Sequence, residues 1–298
     1  MKEISRDYAF SLLPVRPAES NKATFGSVLN IAGSANFRGA ACLSSLAALR
    51  VGAGYATLAS PEAVANGVAS FDPDVIVVPL KSRRDCIAPG EWRTIGEIAS
   101  RYSVVSIGPG LSSLRFALKP ALAFFLKTLD VLRDLDAPVV FDADALNMLA
   151  AAAVRDLPCR SILTPHPKEL ARLLGIDLAD VQADRPRWAA EAAERFRATV
   201  VLKGHRTVIA GEGGSWVNAT GGAALAKAGS GDVLTGMISG LCAQGLSIED
   251  AACLGVYLHG LAGDIAASEL TEYGVLASDL LRFIPRAISA LREPGGAA

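Results

Sequence analysis

Short, uninterrupted apolar runs recur along the chain, and between them apolar residues return every three or four positions. The runs cover residues 28–32, 55–58, 75–78, 104–107, 139–141, 162–164, 200–202, 207–210 and 215–218. Apolar runs of this length bounded by turn residues predict strands, and those without alternation predict strands buried on both faces. The intervening patterns predict helices over 40–51, 91–100, 114–134, 145–155, 167–174 and 184–197. Strand and helix in repeated alternation imply a mostly parallel sheet with helices on both faces. Residues 200–218 break the rhythm. Three short strands follow one another there with turns at Gly204 and at 211–214, so they are expected to pair antiparallel at one edge. After Thr220 the pattern is helical, over 229–243, 249–269 and 276–291. One α/β domain over 1–298 is expected, with loose ends at about 1–24 and 292–298.

Composition narrows the class. The 298 residues are 51% hydrophobic and 20% charged, which excludes wholesale disorder. Lys and Arg number 29 against 30 Asp and Glu, for a net charge of -1, so a nucleic-acid partner held by phosphate contacts is not expected. The mean hydropathy of +0.34 raises the question of a membrane. The longest uncharged run, 233–248, falls short of the roughly 18 residues a span needs and contains Thr235, Ser239 and Gln244. Residues 1–6 are charged, with no apolar segment behind them that would make a signal peptide. Five cysteines without CxxC spacing fit free thiols in the cytoplasm better than a disulfide framework or a zinc site.

In a parallel sheet the ligand crevice lies beyond the carboxyl ends of the strands. The segments that follow the strands here are rich in glycine, proline and polar residues. The sharpest runs from Asn218 to Asp232. Gly229, Ser230 and Gly231 open an amphipathic helix, where free N–H groups and the helix dipole suit a phosphate. Asp232 follows on the same turn, placed to take a proton from an attacking hydroxyl. The bland alternative is a glycine-serine cap with an acidic first turn. Neither a P-loop nor a dinucleotide fingerprint is present, since Gly108-Pro-Gly110 does not continue as G-x-G-x-x-G.

His166 stands between Pro165 and Pro167, as a ligand contact or as a structural residue before a helix. Lys203, Gly204, His205, Arg206 and Thr207 form a hairpin turn that could hold nucleotide phosphates or ribose, or serve only as a charged turn. Asp142 and Asp144 could orient substrate or a metal, or cap a helix. His259 has no acid–base partner visible in sequence and is expected to be structural. No G-x-S-x-G is present, so covalent catalysis is not favoured.

Together these segments resemble one family, the nucleotide-dependent NAD(P)H-hydrate dehydratases of the ribokinase-like superfamily. The resemblance runs from Leu13-Pro-Val-Arg16 to about Arg286. It rests on Phe25-Gly-Ser-Val-Leu-Asn-Ile-Ala-Gly-Ser34, Arg38-Gly-Ala-Ala41, Ile107-Gly-Pro-Gly-Leu111, Asp142-Ala-Asp-Ala-Leu146, Thr164-Pro-His-Pro-Lys-Glu169, Lys203-Gly-His-Arg-Thr207 and Gly229-Ser-Gly-Asp232. It implies a ribokinase-like three-layer sandwich. It also implies dehydration of (6S)-NADHX or NADPHX back to NADH or NADPH, with ADP (ATP as the alternative) converted to AMP and phosphate, and Mg²⁺ assisting. By motif, Asp232 would be the base. Ala40, Gly108, Gly110, His166 and Asp232 would meet the hydrate. Lys203, Gly204, His205, Arg206, Thr207, Gly229, Ser230 and Gly231 would meet the nucleotide.

The resemblance further implies a homo-oligomer, with a tetramer as one arrangement, and an epimerase acting from a separate protein. The chain departs from the family pattern at Asn21-Lys22-Ala23, where H-K-G is usual. It departs again at Lys168, where glycine is usual, and at Ser230, where threonine is usual. The Lys168 departure puts nucleotide preference in question. The alternatives are a kinase of the same superfamily acting on a hydroxymethyl-pyrimidine or thiazole alcohol, and a non-enzymatic nucleotide sensor.

Overall fold

The structure is a computed structural model, and it describes residues 1–111 and 118–293. Every expected apolar run forms a strand. In chain order the strands are β1 (Lys2–Glu3), β2 (Ser27–Ile31), β3 (Tyr55–Pro61), β4 (Ile76–Leu80), β5 (Ser82–Arg83), β6 (Cys86–Ile87), β7 (Val104–Ile107), β8 (Val139–Phe141), β9 (Ser161–Leu163), β10 (Thr199–Leu202), β11 (Val208–Gly211) and β12 (Gly214–Val217). Ten of them make one sheet in the order β1-β12-β11-β10-β9-β8-β7-β2-β3-β4, and β5 with β6 forms a separate ribbon. From β4 through β10 every neighbouring pair is parallel. The pairs β10–β11 and β11–β12 are antiparallel, as expected.

The N-terminal segment corrects the expectation of a loose end. Lys2 and Glu3 pair in parallel with Trp216 and Val217, so β1, not the antiparallel strands, forms the rim. Ile4 is buried beside it and donates its N–H to Val217 at 2.9 Å. The helix Arg6–Ser11 follows, capped by the Ser5 hydroxyl. Two charged residues carry no apolar alternation, so β1 left no signature in sequence. Of the segments expected to be irregular or helical, 294–298 and 112–117 lie outside the described residues. The helix expected from 114 runs Leu118–Arg133 where it is described.

Successive residues of the sheet feed two separate cores. Val28, Val104, Val140, Ile162 and Val201 face one core, shared with the helices Arg38–Arg50, Ser230–Ala243, Ile248–Gly274 and Ala277–Arg292. Leu29, Val105, Val139, Leu163 and Val200 face the other, shared with Trp92–Ile98, Leu118–Arg133, Asp144–Ala151, Pro167–Leu174 and Arg185–Phe196. This is why the central strands β2 and β7–β10 lack a polar face: both sides of their pleat are covered by a helical layer, whereas the edge strand β4 leaves Ile76 exposed. The helix Ile248–Gly274 is long and apolar enough to cross a membrane by length and composition. However, 72% of its apolar window is buried within the fold, as in a core helix.

Two features of the packing position the site. The chain runs outward from β2 through β3 to β4, and then returns to place β7 on the other side of β2. The loops after β2 and β7 therefore flank the switch point of the sheet, where a crevice opens. The helices Arg38–Arg50 and Ser230–Ala243 also touch backbone to backbone. A Cβ on Gly236 would stand 2.1 Å from the Ser44 carbonyl oxygen, and one on Gly240 would stand 2.5 Å from that of Ala48.

Candidate active site

The helix Ser230–Ala243 begins with a backbone reversal at Gly229, whose φ is 93°, a region L side chains rarely enter. A Cβ there would also press on Leu43 and Ala277 at 2.8 and 2.9 Å. No side chain caps this helix. The Ser230 N–H donates to the Lys227 carbonyl at 3.3 Å, and the N–H groups of Gly231 and Asp232 are left for an external anion, with the dipole behind them. Gly231 lies against Lys203: a Cβ at this position would be 3.4 Å from the ammonium nitrogen.

Below the helix start is a buried cluster of charge. Asp142, at the end of β8 and 1% exposed, accepts hydrogen bonds on Oδ1 from Lys203 Nζ and Thr164 Oγ1, both at 2.7 Å. Glu169 Oε2 lies 4.0 Å from the same ammonium. Burial alone would lower the Lys203 pKa, but Asp142, Glu169 and Asp232 outweigh it, and the net shift is upward. Burial raises the Asp232 pKa to about 7; the Asp142 carboxylate adds to this and Lys203 opposes it. Burial likewise raises Glu169 to about 7, against the pull of Lys203. Asp232 is therefore poised to take up a proton near neutrality, the condition a general base needs. Between Asp142 and Asp144 the backbone of Ala143 is held at φ 48°, a strained conformation for alanine of the sort that collects at functional sites.

His166 and Glu169 form a reciprocal cap on the helix Pro167–Leu174. Glu169 N donates to His166 Nδ1 at 3.2 Å, and His166 N donates to Glu169 Oε2 at 2.8 Å. Burial, then Lys203 and Arg172, lower the His166 pKa, so its imidazole is neutral. The 203–207 turn is organised by Arg185, which lies at the start of its own helix. Arg185 donates to the carbonyls of Leu202, Lys203 and His205 at 2.9, 3.3 and 2.5 Å.

A cavity of about 640 Å³ opens beside these groups, with Asp142, Glu169 and Asp232 just behind its wall, not on it. His166, Lys203, Gly204, His205, Thr207, Ser230 and Gly231 all line it, together with the 220–227 loop. Arg206 does not. It is exposed and pairs with Glu3 at 3.0 Å on the β1 rim. Lys168 is exposed and is not on the cavity wall either. Ala40, Gly108 and Gly110 lie at the switch point instead. Gly33 N donates to Pro109 O at 2.8 Å across the two loops, and a Cβ on Gly110 would be 3.0 Å from that of Ala40. Gly108 has φ 132° and packs so closely that a Cβ would fall 1.8 Å from the Asp142 carbonyl oxygen. Asp142 is thus the seam, with its backbone against the glycine loop and its carboxylate on Lys203. Sequence reasoning missed Arg185, Glu169 and His259 as parts of the site. Glu169 carried a signal, since it stands at the third position after a helix cap.

A family profile described as NAD(P)H-hydrate dehydratase matches residues 28–286. The ADP-dependent (S)-NAD(P)H-hydrate dehydratase of Bacillus subtilis is 34% identical over 288 residues, which is 95% of this chain and 96% of that protein. A crystal structure of an ADP/ATP-dependent NAD(P)H-hydrate dehydratase from Bacillus subtilis, co-crystallised with ATP and Mg²⁺, superposes with a TM-score of 0.84 at 33% identity. The match covers 98% of this chain and 99% of that one. A ribokinase-like superfamily protein from Enterococcus faecalis gives a TM-score of 0.86 at 26% identity, covering 99% and 97%. The bifunctional NAD(P)H-hydrate repair enzyme of Moorella thermoacetica is 41% identical over 292 residues. The match takes in 95% of this chain and 53% of that enzyme, so the chain spans about half the length of the bifunctional relatives it matches. With its ribokinase-like fold and its glycine turn beside Asp232, the chain belongs to the NAD(P)H-hydrate dehydratase family.

Proposed function

We propose that the protein dehydrates (6S)-NADHX and NADPHX to NADH and NADPH, using ADP as phosphoryl donor and releasing AMP and phosphate. One observation carries the reading: Asp232, raised to about 7, stands on the first turn of an uncapped helix, next to a cavity lined by Lys203, Gly204, His205 and Thr207. A ring hydroxyl is a poor leaving group. Asp232 takes its proton as the oxygen attacks the terminal phosphorus of the nucleotide, and the P–O bond to the AMP oxygen breaks. The N–H groups of Gly231 and Asp232 stabilise the charge on the transferring group. Phosphate then departs from the ring carbon, the ring nitrogen supplies electron density, and loss of a ring proton restores the reduced nicotinamide. The glycine loop with Gly108 and Gly110, Ala40 and His166 would hold the hydrate, and Lys203 with Thr207 the nucleotide.

Among the described residues no group of three or more His, Cys, Asp or Glu forms a ready-made metal site. Mg²⁺ commonly takes only one or two carboxylates besides phosphates and water. Of the two carboxylates beside Ala143, the half-buried Asp144 fits that manner of binding, whereas Asp142 is 1% exposed and engaged by Lys203 and Thr164. Mg²⁺ held there with the phosphates would offset their negative charge. Assembly as a homo-oligomer, a cytoplasmic location and supply of the correct epimer by an epimerase complete the reading. Five cysteines with no disulfide among the described residues fit that location.

The test is incubation with hydrated NADH plus ADP or ATP, following absorbance of the reduced nicotinamide together with phosphate. The two should rise in step. Accumulation of a stable phosphorylated thiazole or pyrimidine alcohol, with no activity on the hydrate, would replace this reading with a kinase.

A further inference from the structure

His259 lies on the helix Ile248–Gly274, 7% exposed, and reaches across to the first residue of the helix that carries Asp232. Its Nε2 is 3.0 Å from the Ser230 carbonyl oxygen and 3.2 Å from Ser230 Oγ. A carbonyl oxygen only accepts. A bare Nε2 would set its lone pair against that oxygen, so Nε2 carries the proton. Burial first, with Lys203 adding to it, lowers the imidazole pKa to about 4, so the ring is neutral at physiological pH. A single N–H is then shared by the carbonyl and Oγ. The Ser230 hydroxyl accepts on that side, and its own proton must point elsewhere. Ser230 is 5% exposed, and both residues lie on the wall of the 640 Å³ cavity. Gly231, whose N–H is uncapped, lines the same cavity.

The geometry points to His259 as a positioning residue: by donating from Nε2 to Ser230, it turns the Ser230 hydroxyl proton into the cavity as an added donor to the transferring phosphoryl group. The inference rests on the reaction proposed above for its kinetic readout, but not for its binding readout. His259 touches no reacting atom; it acts through Ser230.

The experiment is a double-mutant cycle of Ser230→Ala and His259→Phe, with His259→Gln as a variant that keeps an N–H donor. For each protein kcat, the KM for ADP, ADP affinity by calorimetry and the thermal midpoint are measured. Loss of one preorganised donor to a transferring group costs on the order of 100-fold in turnover. Ser230→Ala and His259→Phe should each lower kcat by about 10- to 100-fold, with a smaller rise in KM for ADP. The double variant should be no slower than the slower single variant. His259→Gln should recover most of the rate. The acid limb of the pH profile should not move, because the base is unchanged. Losses that multiply in the double variant would overturn the inference, as would Ser230→Ala at the parent rate or a lowered midpoint with kcat intact in His259→Phe. A parent inactive on the hydrate would remove the reaction, not the coupling. The same cycle in ADP affinity then decides: a loss shared by the two positions supports the inference, and independent losses refute it.

Discussion

Asp232→Asn should make the protein more stable and nearly inactive at the same time. The ordinary carboxyl value of 3.8 is raised to about 7 in the fold, a rise of roughly 3 units. At ~1.4 kcal/mol per unit, ionising Asp232 in the folded chain costs about 4 kcal/mol. The folded value lies above the unfolded one. Its favourable contribution is therefore fully present below about pH 4 and is lost as pH rises through about 7. Asparagine has nothing to ionise and escapes that loss. Urea denaturation without nucleotide, over about pH 4.5 to 8.5, should show the variant ahead by up to about 4 kcal/mol at the alkaline end. The gap should close toward the acidic end. Glu169 is raised to a similar value in the same cluster, so the variant should also ease ionisation there. Turnover should fall about 100-fold or more, the scale of a lost general base. In the parent, turnover should rise with pH through about 7. Parent and variant equally stable at every pH would show that Asp232 is not held against ionisation. Turnover near the parent's would remove it as the base.

Lys203→Ala leaves the Asp142 and Glu169 carboxylates buried without their cation, and should cost about 3–5 kcal/mol in denaturant unfolding besides raising the KM for ADP. An unchanged midpoint would mean the pair carries no structural load. Gly108→Ala would drive a Cβ into the Asp142 carbonyl at a φ of 132°, so soluble yield and melting temperature should both drop sharply. A parent-like melt would show that the loop can yield. Lys168→Gly should leave the ADP-to-ATP preference within about twofold, because the exposed Lys168 side chain is off the cavity wall and screened by solvent. A large switch in a competition assay would place it on the phosphate path. Native alkylation should label the exposed Cys159 first, whereas Cys242 and Cys253, raised by burial to about 12, should label only after unfolding.

The parallel sheet was legible because its strands are uninterrupted apolar runs, a pattern that two covered faces demand. β1 was not, because Lys2 and Glu3 have no periodicity of their own and are recognised only by the β12 edge they complete. The helix Glu62–Phe71 was missed as well, since Asn66-Gly67 in its middle reads locally as a turn. In the site, the glycine turn and Asp232 were legible because a phosphate-binding helix start is a contiguous motif. The Asp142–Lys203 pair is not contiguous: its members are 61 residues apart and meet only across the ends of β8 and β10, with β9 between them. His259 looked partnerless for the same reason, its partner Ser230 being 29 residues away on another helix. Arg206 belongs to a recognisable turn, yet Glu3 holds it at the rim, which no pattern within the turn foretells.

The backbone contact between the helices Arg38–Arg50 and Ser230–Ala243 has a consequence for how this scaffold can diversify. One helix carries Ala40 in its first turn and the other carries Asp232, and at Gly236 and Gly240 the second helix offers only backbone to the Ser44 and Ala48 carbonyls of the first. Helices packed through interdigitated side chains can slide by small rotamer changes, but two backbones in direct contact cannot. The interval between the glycine loops at the switch point and the helix start is thereby a fixed gauge. Ligands whose reactive hydroxyl and phosphate do not match it cannot be accommodated by helix shear. Acceptance of a different alcohol would have to come from the 33–37, 108–111 and 220–227 loops around a gauge that stays constant.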